Sequence, residues 1–100
     1  MSVNEDAEEA ARRDEHPLIT FRDGPAGRRA AAVGGPDVWE IVMWLQDLPE
    51  EKDPAQVLAA EQGISRALID AALRYQEPYP EEVDEHIALH RHDTAAADVR

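Results

Sequence analysis

Residues 36–48, reading Pro36-Asp37-Val38-Trp39-Glu40-Ile41-Val42-Met43-Trp44-Leu45-Gln46-Asp47-Leu48, constrain the possible folds of this chain more than any other stretch. A proline followed by an aspartate opens a helix, with Asp37 placed to cap the first turn. At about 100° per residue, Val38, Ile41, Val42, Leu45 and Leu48 share one apolar face. Trp39 and Met43 fall on one shoulder of that face and Trp44 on the other, so only Glu40 and Asp47 clearly claim solvent. A helix apolar over so much of its circumference is covered on more than one side. The whole chain has 100 residues, and a core of that size does not cover all of it. The helix is therefore expected to be the hub of the fold, with Trp39 and Met43 packing across a homodimer interface.

The rest of the composition narrows the function. Hydrophobic residues make up 43% of the chain, but many are alanines, so large core formers are few and association would add stability. Cysteine is absent, which removes disulfides, Cys-based zinc sites and thiol catalysis. No apolar run is long enough to span a bilayer, and the N-terminus is acidic rather than signal-like, so a cytoplasmic location without membrane contact is expected. With 22 acidic against 10 basic residues the formal net charge is −12. Such a field repels a phosphate backbone at long range and suits docking on a basic partner.

Along the chain, residues 1–16 are acidic, alanine-rich and lack an apolar stripe, which predicts a disordered leader. A single small domain then spans 17–91. Leu18-Ile19-Thr20-Phe21-Arg22 has strand composition, Asp23-Gly24-Pro25-Ala26-Gly27 is turn chemistry, and residues 28–33 run back as a second strand. Gly34-Gly35-Pro36 breaks the chain before the hub. Asp53-Pro54 is a cap followed by a first-turn proline, opening a helix that stops at Gly63. Ser65 caps the next, with Leu68, Ile69, Ala72, Leu73 and Gln76 on one face and an end before Pro78. Tyr79-Pro80 starts a last helix whose first turns carry Glu81, Glu82 and Asp84, as the helix dipole favours. Residues 92–100 are expected to fray. The fold class is thus mainly α: a short N-terminal β-hairpin followed by a helical bundle.

Residues 55–75 match a helix-turn-helix pattern, with small Ala59 allowing close approach and Gly63 supplying the left-handed turn. Residues positioned for DNA are Ser65, Arg66 and Arg74, joined by Arg28 and Arg29 on the one locally basic hairpin. Asp70 opposes the arginines and the net charge opposes them all, so DNA binding by the chain alone is expected to be weak, or to need a complex. His86 and His90 stand four residues apart, with His92 close behind, a spacing that can hold a metal. The glutamate of a zinc hydrolase motif is missing between the first two, and histidines near a helix C-terminus have a plain electrostatic role. No carboxylate pair sits in an evident apolar pocket, and no nucleophile stands beside a base. The sequence predicts neither an enzyme nor a cofactor.

The order of hairpin, hub helix, helical pair and acidic helix resembles the bacterial domain of unknown function four-three-three family, a group of small antitoxin-like proteins. The resemblance rests on Gly27-Arg28-Arg29, on residues 38–45, on Ile69-Asp70-Ala71-Ala72-Leu73-Arg74-Tyr75, and on Tyr79-Pro80-Glu81-Glu82-Val83-Asp84-Glu85-His86-Ile87. Residues 30–35 form an insertion against that pattern. The resemblance implies a homeodomain-like helical core and a ribonuclease toxin of the PIN-like class as partner. The function expected is that of an antitoxin in a type II toxin–antitoxin pair, neutralising the nuclease by direct binding. Tyr79, Glu81, Glu82, Val83, Glu85 and Ile87 are its expected partner-binding residues: an apolar anchor beside carboxylates that compete for a phosphate-binding cleft. The alternative is a helix-turn-helix transcriptional regulator.

Overall fold

A computed structural model describes residues 3–24, 27–48 and 52–98, with side chains described between 7 and 92. Residues 1–2 of the expected leader, Pro25 and Ala26 of the expected turn, residues 49–51 and residues 99–100 of the expected tail lie outside the described residues. The order of elements is α1 (Val3–Glu15), β1 (Ile19–Gly24), β2 (Gly27–Ala32), α2 (Val38–Gln46), α3 (Pro54–Gln62), α4 (Arg66–Gln76) and α5 (Pro80–Asp98). The fold is mainly α, with one short hairpin near the N-terminus followed by helices.

The hub is where the apolar pattern placed it. Val38, Ile41 and Val42 of α2 are buried, and the helix packs against β2, α3, α4 and α5. Asp53 caps α3 by accepting a hydrogen bond from the Gln56 amide at 3.3 Å, with Pro54 in the first turn. Gly63 closes α3 at φ 65°, ψ 33°, a left-handed conformation that glycine adopts without a Cβ clash. Ser65 accepts from the Ala67 amide at 3.2 Å and opens α4. α3 and α4 therefore form the tight pair that the sequence predicts.

β1 and β2 pair antiparallel, with Ile19 opposite Ala32, Phe21 opposite Ala30 and Arg22 opposite Arg29. Alternation predicts one buried face, but Ala30, Ala31 and Ala32 are all buried. The end of β2 is covered on both sides because the chain folds back on it: the Ala32 amide donates to the Pro36 carbonyl at 2.9 Å, and Ala31 bridges Asp37. Small side chains let the helices come close on that strand.

Three expectations need correction. Residues 3–15 form helix α1 rather than a disordered leader, because Arg12 finds partners on α4 and α5 that no local pattern reveals. α5 continues to Asp98, so helical backbone extends well into the region expected to fray. On α4 the buried residues are Ile69, Ala71, Ala72 and Tyr75, while Leu73 is 37% exposed. α4 covers the hairpin as well as α2 and α3, and that turns its buried face toward Tyr75.

Candidate functional site

The hairpin delivers Arg22 and Arg29 to directly opposite positions on paired strands, where like charges repel. Asp37 answers both. Its carboxylate, with the residue only 5% exposed, accepts a hydrogen bond from Arg29 Nε and lies 3.8 Å from Arg22 Nη1. Trp39 Nε1 donates to the same carboxylate at 3.1 Å. Asp37 thus stands at the cap position of α2, as expected, yet its side chain serves the hairpin. Its own amide is met by Glu40 Oε1 at 3.2 Å.

A second set of charges ties α1 down. Arg28 makes a two-pronged contact with Glu9, at 2.9 Å from Nε and 2.8 Å from Nη2, and pairs with Asp23 at 3.3 Å. The hydrogen bond from Arg28 holds the Glu9 carboxyl below its usual pKa, and the pairing with Glu9 raises that of Arg28. Arg12 Nη1 donates to the Tyr75 hydroxyl at 2.8 Å and to Glu82 Oε1 at 2.9 Å. The Tyr75 hydroxyl donates in turn to Glu82 Oε2 at 2.7 Å. Burial alone would lower the pKa of Arg12, but its bonds to Glu82 and Tyr75 outweigh burial and raise it. Burial first, and then Glu82, push the Tyr75 phenol well above its ordinary value. The guanidinium carbon of Arg12 also lies 3.9 Å from the Tyr79 ring centroid, a cation–π contact. Around Tyr75 stand the rings of Tyr79, His16 and Phe21, at centroid distances of 4.9, 5.4 and 6.2 Å.

The residues expected to meet DNA are scattered and mostly neutralised. Arg28 and Arg29 sit in the ion pairs above. Arg66 pairs with Asp70 at 3.1 Å and with Asp53 at 3.3 Å, and the Asp70 bond raises its pKa. Ser65 is occupied as a cap. Of the four arginines, Arg74 alone makes no ion pair with a described residue, and it is exposed.

The expected partner-binding arm divides. Val83 and Ile87 are buried, 2% and 6% exposed, against α2, so they build the core of this chain and are not surface anchors. Glu82 is held by Tyr75 and Arg12, and Tyr79 lies under Arg12. That leaves Glu81 and Glu85, with Asp84 between them, exposed on the outer side of α5.

Trp39 and Met43 are half-buried against the core. The indole N–H of Trp39 is already satisfied by Asp37, and its ring stands 5.2 Å from that of His90. Among the described residues no group of three or more His, Cys, Asp or Glu side chains is arranged to hold a metal.

Sequence reasoning missed Arg12, Glu9, Tyr75 and the hairpin role of Asp37. A faint signal existed for the first: an arginine with an acidic residue four positions earlier, Glu8, is helix chemistry. Among the described residues no helix is long and apolar enough to cross a membrane. No protein-family model, no curated protein and no solved structure matches this chain.

Proposed function

We propose that this chain is the antitoxin-like component of a bacterial type II toxin–antitoxin pair, acting in the cytoplasm by binding a PIN-like ribonuclease directly. One observation carries the reading: six arginines are turned onto the protein's own carboxylates, while the outward carboxylates of α5 make no ion pair with a described residue. Arg12, Arg22, Arg28, Arg29, Arg66 and Arg91 are all in ion pairs. Glu81, Asp84 and Glu85 are exposed and make no ion pair with a described residue. A nuclease must attract phosphate, so its cleft is positive, and a rigid acidic helix competes for it. The bound form is a homodimer in this reading, with the half-buried Trp39 and Met43 at the twofold contact.

A DNA-binding regulator is the weaker reading. The α3–α4 pair has the right local form, but Arg74 is the one predicted contact left with its charge unanswered by a described residue.

The test is a triple charge reversal, Glu81→Lys, Asp84→Lys and Glu85→Lys, which spares the structural Glu82. Neutralisation of the co-encoded nuclease is expected to weaken at least about tenfold, the effect of losing some 1.4 kcal/mol of binding, with circular dichroism unchanged. Full neutralisation by a correctly folded triple variant overturns the reading.

A further inference from the structure

We propose that Tyr75, Tyr79 and Glu82 form a seat for a guanidinium group, that Arg12 fills it in the free protein, and that an arginine of a basic protein partner takes it over, releasing α1. The proposal rests on the reading of the chain as a partner-binding protein and names what the partner presents.

The seat belongs to the core and not to α1. Tyr75 is on α4, Tyr79 on the link to α5 and Glu82 in the first turn of α5. Together they offer what a guanidinium needs: a carboxylate and a hydroxyl for its N–H groups and an aromatic face for its plane. The Tyr75 hydroxyl donates to Glu82, so its lone pairs point at the cation and the carboxylate has an anchor on α4 besides Arg12. Groups held by the core and not by α1 can receive a guanidinium supplied in cis or in trans.

α1, by contrast, is held by two side chains, Arg12 in the seat and Glu9 on Arg28 of the hairpin. Of its described side chains only Glu9 and Arg12 are half-buried, whereas Ala7, Glu8, Ala10 and Ala11 are exposed. No apolar stripe docks it. A cleft of about 260 Å³, bordered by Glu8, Arg12, Phe21 and Arg28 among others, lies between it and part of the hairpin. Arg12 Nε is buried there with no hydrogen-bond partner, so the cis occupant does not use all of its donors. An arginine that satisfies every donor competes well against it, because a buried unpaired N–H is costly. The net charge of −12 selects a basic partner to supply that arginine.

The probe is acetyl-arginine amide, titrated into the full-length Arg12→Ala protein while the Tyr75 and Tyr79 ring signals are followed by NMR. Saturable shifts of both rings are expected, with acetyl-lysine amide and the unsubstituted protein at least tenfold weaker. Addition of Glu82→Gln should abolish them. Absence of saturable shifts in a folded Arg12→Ala protein overturns the proposal, as does equal binding by the unsubstituted chain. Should Arg12→Ala not fold, the unsubstituted protein decides: rising acetyl-arginine amide should speed amide exchange in α1 and leave α4 protected, and unchanged exchange overturns it. The seat and the function fail separately. Loss of the probe response removes the seat alone, whereas charge reversal on the outer side of α5 that leaves neutralisation intact removes the toxin reading alone.

Discussion

Asp37 is the residue on which the hairpin depends. Two arginines face each other across paired strands, and this one carboxylate pairs with both while accepting from the Trp39 indole. Removing one partner of a buried ion pair strands the others' charge. Asp37→Ala should therefore destabilise the protein by about 2 kcal/mol, below the cost of a fully buried pair because the Arg22 side chain reaches solvent. Urea unfolding measures it, and an unchanged midpoint would show that water replaces the carboxylate. Tyr75 makes a different statement. Its folded pKa is raised by burial and by Glu82, so its contribution is complete below the ordinary value of 10.0 and fades as pH climbs above that value. In a Tyr79→Phe protein, where Tyr75 is the remaining tyrosine, tyrosinate absorbance should rise only together with loss of the circular dichroism signal. A rise centred near pH 10 in a still-folded protein would contradict the burial argument.

Elements with local signals were legible in the sequence. The 3.6-residue spacing of Val38, Ile41 and Val42, the Asp53-Pro54 start, the Gly63 stop and the Ser65 cap each act within a turn or two of chain, so each can be read without knowing the fold. α1 was not legible, because its helix lacks an apolar stripe and is fixed by bonds from Arg12 to residues 63 and 70 positions away. The buried alanines of β2 were not legible for a related reason. Alanine carries little pattern, and both faces of that strand are covered only once α2 and α4 are in place. The same holds for the candidate site. The acidic exterior of α5 was visible as a run of carboxylates, but the division between Glu82 turned inward and Glu81 and Glu85 turned outward is set by Tyr75 on the neighbouring helix.

At the scale of the whole molecule, the dependence of the hairpin on Asp37 carries over into the order of events in folding. Two-residue or near-two-residue hairpins usually close early, because their contacts are local. Here closing β1 on β2 sets Arg22 against Arg29, a repulsion that Asp37 relieves only with the first turn of α2 beside it, so the hairpin is expected to become stable after that turn docks. The helices, whose start and stop signals are self-sufficient, have no such condition to meet. The hairpin is therefore expected to form after the hub, with its contacts largely absent from the transition state. Phe21→Ala is expected to speed unfolding and leave the folding rate nearly unchanged, while Ile41→Val slows folding, as stopped-flow kinetics in urea would read. Equal slowing of folding by both would place the hairpin inside the nucleus. A late hairpin also means that the strand edges stand open for as long as α2 is out of position, so the acidic hub residue that lets the hairpin close also shortens the time in which two unfinished chains can pair through those edges.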